Sequence, residues 1–258
     1  MALLQAYFFS NALYRTVPIQ VILPVDKFTE PNKPACEVKP FKTLYLLHGL
    51  MGNYNDWVSS TRIQRWAEQL NLAVVMPSGE NSFYLDHPVV GHRLNNYSTF
   101  IGGELVTITR KMFPLSHDRK DTYIAGLSMG GSGAIRNGLK YHDTFSYIAG
   151  LSSDIYVVED IINGGAVASD SNPPLPVLVQ TIKDKIKYGK EVDFPKMFIA
   201  CGTEDGFIEC NRKFRDFVTE NGIDITYCEE VGGHTWDFWD KYILRILEWL
   251  PLEGASES

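Results

Sequence analysis

The stretch DTYIAGLSMGGSGAIRNGLKYH, residues 121–142, joins an apolar run to a glycine-rich segment and places Ser128 at the junction. The apolar run is typical of a buried parallel strand, and the segment after the serine has helical character despite its glycines. Gly126 and Gly130 flank Ser128 in the pattern G-x-S-x-G. In this context the pattern predicts a sharp strand–turn–helix that presents the serine hydroxyl as a nucleophile. The alternative is a serine that only forms a tight corner.

Strands and helices alternate on both sides of this junction. Apolar runs predict strands near residues 6–10, 18–23, 41–49, 71–77, 121–128, 145–153, 196–202 and 223–231. Segments with helical spacing of apolar residues, or with a glycine or proline at their end, predict helices at 61–70, 98–114, 130–142, 212–222 and 235–250. This alternation predicts a mostly parallel sheet with helices on both faces. Together with the serine motif, it indicates an α/β fold of the α/β-hydrolase type.

The long connection between the strands near 151 and 196 is the one irregular stretch. It begins with a proline-rich segment, typical of a loop, and continues with LPVLVQTIKDKIKYG, which predicts a short helix. Such a connection in a compact fold is usually functional. We therefore expect residues 1–258 to form a single domain, with a small cap-like insertion at about 153–194 over the active face.

A serine hydroxyl is a weak nucleophile at neutral pH, so it needs a general base, and that base needs a carboxylate to orient it. In this fold class the chain order is serine, acid, histidine. Only His142 and His234 follow Ser128. His142 ends the predicted helix that begins at the serine, so it should lie far from the hydroxyl. His234, in a glycine-flanked loop before the last helix, is the predicted base.

The orienting acid is expected in the loop after the next-to-last strand, within KMFIACGTEDGF. Asp205, which precedes Gly206, suits a loop tip that turns a carboxylate inward, and it leaves room for a helix and a strand before the histidine. Glu204 is the competing candidate, and Asp193 is a more distant one.

An oxyanion hole needs backbone N–H groups aimed at the developing negative charge. One donor is predicted to be the amide of Met129, at the start of the helix after the nucleophile. The other is predicted to be the amide of Leu50, in the loop HGLMGN after the first buried strand. His48 is expected to brace that loop as a structural histidine, and Trp57 to pack beneath it.

Three aromatic residues in predicted loops are candidates for lining the substrate pocket, with plain packing as the alternative: Tyr84, Phe207 and Trp236. No histidine, cysteine or acidic cluster has the spacing of a common metal site, and Asp86, His87 and His92 do not fit one. No metal and no cofactor is therefore predicted.

The composition is that of an acidic globular protein. There are 31 acidic and 24 basic residues, and the formal net charge is −7. This balance argues against a nucleic-acid partner, which requires a basic patch. The apolar N-terminal stretch lacks a basic region and is interrupted by polar residues, so it predicts strands rather than a signal peptide. No apolar run is long enough to span a membrane. The four cysteines are expected to be reduced, and the predicted location is cytoplasmic.

Four motifs in this order resemble those of the esterase D-like α/β-hydrolases: LYLLHGLMGNYNDW, GLSMGGSGAIRNGL, ACGTEDGF and GGHTWDFW. The chain is most similar to the bacterial tributyrin-esterase type, which is related to S-formylglutathione hydrolases and feruloyl esterases. The resemblance covers about residues 7–250. It implies a cofactor-free carboxylesterase for short acyl esters, often intracellular and homo-oligomeric. The family's nucleophile, acid and base correspond to Ser128, Asp205 and His234, and its oxyanion donors to Leu50 and Met129.

The leading hypothesis is a serine carboxylesterase that acts on a small-molecule ester through an acyl-enzyme. The alternatives are a thioesterase of the S-formylglutathione type, a feruloyl or acetyl-xylan type esterase, and an acyltransferase in which an alcohol replaces water. A non-enzymatic binding scaffold is a further class. The complete serine, acid and histidine set argues against such a scaffold.

Overall fold

The computed structural model of the protein describes residues 1–26, 40–90, 93–165, 167, 170–188 and 193–252. Its strands are β1 (Ala2–Ser10), β2 (Arg15–Leu23), β3 (Thr43–Leu47), β4 (Ala73–Pro77), β5 (Asp86–Val90), β6 (Arg93–Asn96), β7 (Thr122–Leu127), β8 (Tyr147–Leu151), β9 (Lys196–Gly202) and β10 (Ile225–Glu230). Its α-helices are α1 (Asp56–Ser60), α2 (Ile63–Gln69), α3 (Tyr97–Thr99), α4 (Leu105–Met112), α5 (Met129–Lys140), α6 (Ile155–Asn163), α7 (Leu175–Lys187), α8 (Ile208–Glu220) and α9 (Trp236–Trp249).

Eight of these strands form one sheet in the order β1-β2-β4-β3-β7-β8-β9-β10. Strand β2 pairs antiparallel with both β1 and β4. From β4 to β10 every neighbouring pair is parallel. Since parallel strands need crossover connections, helices cover both faces of this part of the sheet. The predicted α/β-hydrolase architecture is confirmed.

The two faces of the sheet carry separate apolar cores, and strand β3 shows why. Its side chains alternate between faces, as in any strand. Tyr45 and Leu47 belong to the core on the side of α4, α5, α7 and α8. Leu44 and Leu46 belong to the core on the side of α2 and α9. Every residue of β3 is therefore buried, which explains its continuous apolar sequence.

The predicted helix at 98–114 is interrupted. Helix α3 leads into a π-helical segment, Phe100–Glu104, before α4 continues to Met112. The observed helix α8 begins at Ile208, four residues before the predicted start at residue 212. The hairpin of β5 and β6 and the short helix α1 were not predicted, because neither has an extended apolar period.

The stretch at 153–194 contains the helices α6 and α7. Helix α7 contributes Leu175, Leu178, Val179 and Ile182 to the same core as α5. Helix α7 begins at Leu175, where the helix predicted from LPVLVQTIKDKIKYG begins, and the proline-rich segment before it is not helical. A proline lies in the first turn of α7, where the missing N–H is not needed. The described part of this stretch packs as part of the helix layer. Its role as a cap over the active face stays a prediction.

A buried polar cluster fixes α6 and α7 against α5. The guanidinium of Arg136 pairs with the carboxylate of Glu159 and also donates to the carbonyl of Pro173. The second carboxylate oxygen of Glu159 accepts from the amide of Leu175 at 2.9 Å. Burial lowers the pKa of Arg136 to about 10. Because each charge has a partner, the cluster can persist inside the protein.

Two further observations concern the described residues. None of their helices has both the length and the apolar character needed to cross a membrane. Cys201, Cys210 and Cys228 are unpaired. Cys36 and His92 lie outside the described residues.

Candidate active site

Ser128 lies in a strained turn between β7 and α5. Its backbone angles are φ 51° and ψ −122°, a region that L-residues rarely occupy. Its amide donates to the carbonyl of Leu151 at 2.8 Å, which ties the turn to the end of β8. The strand–turn–helix predicted from G-x-S-x-G is therefore present.

The glycines around Ser128 are required by close backbone contacts. A methyl group at Gly126 would lie 2.3 Å from the carbonyl oxygen of Gly130. A methyl group at Gly130 would lie 2.5 Å from the carbonyl oxygens of both Leu47 and His48. Since real Cβ atoms do not approach backbone so closely, only glycine lets α5 begin directly against β3 and β7.

Ser128, His234 and Asp205 form a continuous chain of contacts. Nε2 of His234 lies 3.0 Å from Oγ of Ser128. Nδ1 of the same imidazole lies 2.9 Å from Oδ2 of Asp205. A carboxylate only accepts, so Nδ1 carries the proton and Nε2 is free to accept from the serine hydroxyl. This tautomer is the one that general-base catalysis requires.

The acid and histidine loops follow neighbouring parallel strands, β9 and β10. The amide of Glu204 donates to the carbonyl of Gly232 at 3.0 Å, and the amide of Thr203 donates to Glu230 at 2.9 Å. These bonds hold the two loops together. The sequence order therefore brings Asp205 beside His234 at the carboxyl end of the sheet.

Hydrogen bonds keep the buried Asp205 carboxylate ionised. Burial by itself would raise its pKa, but the bonds from His234, the Phe207 amide and Ser152 outweigh this effect and lower the pKa. The Phe207 amide lies 2.9 Å from Oδ1. An ionised carboxylate is what stabilises an imidazolium when the base takes a proton.

The competing candidates lie elsewhere. Glu204 is exposed to solvent. Asp193 precedes β9, at the opposite edge of the sheet, where its carbonyl accepts from Arg119 at 2.9 Å. His142 is buried at the end of α5, with Nδ1 2.9 Å from the carbonyl of Leu139. None of these three occupies the position beside Ser128.

The loop after β3 lies against Ser128. A methyl group built at Gly49 would be 3.5 Å from Cβ of Ser128. Among the described residues, the amide of Leu50 donates to no protein acceptor. Met129 is the first residue of α5, so its amide has no acceptor within the helix. Both amides are available for an oxyanion.

His48 and Asn81 brace this loop. Nε2 of His48 accepts from the amide of Gly79 at 2.8 Å, so its Nδ1 carries the proton and donates to the carbonyl of Gly49 at 2.7 Å. Burial lowers the pKa of His48, which favours this neutral form. The side chain of Asn81 accepts from the amide of Met51 at 2.8 Å.

Trp57 lies beneath the loop, as predicted. It is buried, and its indole nitrogen donates to the carbonyl of Leu47 at 3.0 Å.

The three predicted pocket aromatics have different positions. Tyr84 is fully buried, with its hydroxyl donating to the carbonyl of His48 at 3.0 Å and its ring against Gly79 and Gly133. The prediction that Tyr84 lines the pocket is therefore wrong: the residue supports the oxyanion loop from inside. Phe207 is half-buried, with its ring 5.4 Å from that of His234. Trp236 is half-buried and stacks edge-on with Trp57 and Trp239.

Three further residues at the site were not predicted. Ser152 and Trp239 lie behind Asp205 and His234, and Asp154 accepts a hydrogen bond from Ser132 in the first turn of α5. The polar residues SSD at 152–154, directly after β8, offered one signal, since polar residues that follow a parallel strand lie at the active edge. Within the described residues, no group of three histidine, cysteine or acidic side chains is arranged to hold a metal ion.

Comparison with known proteins identifies the family. A sequence model of the esterase family, described as "Putative esterase", matches residues 10–250. An acetyl esterase of Caldicellulosiruptor saccharolyticus is 40% identical over 269 residues, which covers 97% of this chain and 98% of the relative.

Two structures from Staphylococcus aureus are also similar. The fluorophosphonate-binding serine hydrolase FphF has a TM-score of 0.80 and 27% identity, over 96% of this chain and 98% of its own. The S-formylglutathione hydrolase FrmB has a TM-score of 0.76 and 28% identity, over the same shares of the two chains. The predicted esterase D-like resemblance is confirmed. The chain belongs to this esterase family and is a carboxylic ester hydrolase of the serine-hydrolase type.

Proposed function

We propose that the protein hydrolyses short-chain acyl esters, acetyl esters foremost, with Ser128, His234 and Asp205 as its catalytic triad. The observation that carries the proposal is the unbroken contact from Oγ of Ser128 through the imidazole of His234 to Oδ2 of Asp205, at 3.0 and 2.9 Å. Both distances lie within the range for a nucleophile and base and for a base and its orienting acid.

In the first half-reaction, Oγ of Ser128 attacks the ester carbonyl while Nε2 of His234 takes the hydroxyl proton. The negative charge moves to the carbonyl oxygen, where the amides of Leu50 and Met129 donate to it. The imidazolium then gives its proton to the leaving alkoxy oxygen as the carbon–oxygen bond breaks. The alcohol departs and the acyl group stays on Ser128.

In the second half-reaction, water attacks the acyl carbonyl and His234 takes a proton from it. The tetrahedral intermediate collapses, His234 returns the proton to Ser128, and the carboxylic acid leaves. Asp205 remains ionised throughout and holds the imidazole in one tautomer.

One observation supports a small acyl group. The relative with 40% identity is an acetyl esterase. A cavity of about 650 Å³ does exist, but it is lined by Phe41, Lys42, Asp121 and Tyr147, at the amino ends of the parallel strands. Ligands of such sheets bind at the carboxyl ends, where Ser128 lies, so this cavity does not accommodate the acyl chain.

A thioester of a short acyl group is the second candidate. The likeness to FrmB, an S-formylglutathione hydrolase, favours it. The same nucleophile and base would act, since only the leaving atom changes from oxygen to sulfur.

The test is a series of initial rates on p-nitrophenyl esters from acetyl to octanoyl, with S-acyl glutathiones of the same acyl groups in parallel. Ser128→Ala is the control, checked for folding by circular dichroism. We expect the highest kcat/KM on acetyl to butyryl esters and a loss of at least about 10⁴-fold in the variant. Wild-type rates in Ser128→Ala would contradict the triad, and a peak at octanoyl would contradict the short acyl pocket.

A further inference from the structure

Ser152 and Trp239 lie directly behind the acid and the histidine. The indole nitrogen of Trp239 donates to Oγ of Ser152 at 3.1 Å, and both residues are buried. The ring of Trp239 meets the imidazole of His234 edge to face, with centroids 4.8 Å apart and planes at 89°. One tryptophan therefore contacts the imidazole of His234 and donates to the hydroxyl of Ser152.

The donation from Trp239 determines where the Ser152 proton goes. An indole N–H can only donate, so it occupies a lone pair of the serine oxygen, and the hydroxyl proton must point to another acceptor. The acceptors beside it are the carboxylate of Asp205 and the sulfur of Cys201. A carboxylate is a far stronger acceptor than a thiol. The hydroxyl proton is thus directed to Asp205.

The backbone conformation of Ser152 supports the same conclusion. Its φ is 48°, in the left-handed region, and its amide donates to the carbonyl of Ala200 at 2.8 Å. Glycine would occupy this conformation without strain, whereas serine does not. The side chain accordingly provides something that glycine would lack, and a hydrogen bond to the Asp205 carboxylate is the evident gain.

We propose that Ser152 and Trp239 are positioning residues that act as a pair: Trp239 holds the Ser152 hydroxyl toward Asp205 and the imidazole of His234 at its reactive angle. The inference rests on the proposed triad. It assigns a fourth and a fifth member to the hydrogen-bonded chain, which then runs from Trp239 through Ser152, Asp205 and His234 to Ser128.

Four variants test this pair. Ser152→Gly removes the hydroxyl and relieves the backbone, so it should fold. Trp239→Phe removes the N–H but keeps an aromatic ring beside His234. The double variant combines the two changes. Trp249→Phe makes the same chemical change at the far end of α9, where the ring packs on Tyr147 and Phe198, away from the triad.

On p-nitrophenyl acetate, we expect each single variant to lose about tenfold in kcat, the size of one hydrogen bond to a charged group, with KM nearly unchanged. The double variant should also lose about tenfold in kcat, not the product of the two single losses, because both changes interrupt the same chain of hydrogen bonds. Trp249→Phe should match the wild type. A multiplicative loss in the double variant, or wild-type kcat in both single variants, would overturn the proposal.

A second measurement does not depend on turnover. The proton between Nδ1 of His234 and Asp205 should give a downfield ¹H NMR signal in the resting enzyme. We expect this signal to shift or broaden in Ser152→Gly and Trp239→Phe, and to persist in Trp249→Phe. If Ser128→Ala kept wild-type activity, the proposed function would fail, while the NMR signal would still decide whether the pair positions Asp205. An unchanged signal in both variants would contradict the positioning role.

Discussion

Oγ of Ser128 and Nε2 of His234 lie 3.0 Å apart, although 106 residues separate them along the chain. The contact forms because β7 and β10 are parallel strands of one sheet, with only β8 and β9 between them, and all four end at the same edge. The reacting groups therefore lie on short loops above a buried scaffold. Substitutions in these loops should change the chemistry without changing the fold.

The identity of the acid can be tested with a matched pair of substitutions. Asp205→Asn should lower kcat/KM on p-nitrophenyl acetate by about 10⁴-fold, because an amide can favour the wrong imidazole tautomer and cannot stabilise the imidazolium. Glu204→Gln makes the same chemical change one residue earlier, at an exposed side chain. It should leave kcat/KM within about twofold, as for most surface substitutions. Equal losses in the two variants would contradict the assignment of Asp205.

We expect the strained turn at Ser128 to lower the free energy of unfolding, and a glycine at this position to raise it again. Glycine adopts these backbone angles, φ 51° and ψ −122°, without strain, whereas serine and alanine do not. Ser128→Gly should therefore unfold at a higher temperature than Ser128→Ala, by about 1 kcal/mol, or about 2–4 °C for a chain of this size. Thermal unfolding by calorimetry is the measurement, and both variants should be inactive. Equal melting temperatures would show that the turn is not strained.

The close approach of α5 to β3 leads to a further stability prediction. A methyl group at Gly130 would lie 2.5 Å from two backbone carbonyl oxygens, which cannot move aside as a flexible side chain could. Gly130→Ala should destabilise the protein by about 1–3 kcal/mol. The control is Gly103→Ala, where a methyl group meets no atom within 4 Å. Denaturant unfolding compares the two. A control variant as unstable as Gly130→Ala would mean that the close contacts are not the cause.

The sequence predicted most of this fold because its signals are local. The apolar strands of the sheet and the serine turn follow from residue type and spacing, as the fully buried β3 and β7 illustrate. The hairpin of β5 and β6 gave no such signal, since its two strands are short and contain several polar residues. Helix α7 was predicted at its observed start, Leu175, because the proline-rich segment before it is a local loop signal.

The site residues whose order along the chain is fixed could be predicted from the sequence. The residues whose position depends on side-chain packing could not. Ser128, Asp205 and His234 follow a fixed order, which selected the histidine by elimination and placed the acid in one loop, where Glu204 remained a competing candidate. Tyr84 was misplaced because a tyrosine in a loop can face either way, and only the glycines at 79 and 133 make room for its ring inside. Ser152 and Trp239 meet across 87 residues, a distance that no local pattern reveals.

A last prediction concerns Asp154, a buried carboxyl that no step of the proposed mechanism uses. Burial raises its pKa above the ordinary value of 3.8, and the Ser132 hydroxyl only partly offsets this effect. The folded state therefore binds this proton more tightly than the unfolded state, so its contribution to the free energy of unfolding falls as pH rises through the interval above 3.8. Asp154→Asn cannot titrate and should lack this loss. We expect the variant to gain stability relative to the wild type between about pH 4 and pH 7, measured by denaturant unfolding at both pH values. Asp160→Asn, an exposed change on α6, the helix that Asp154 immediately precedes, is the control. A gap between Asp154→Asn and the wild type that stays constant with pH would contradict the raised pKa.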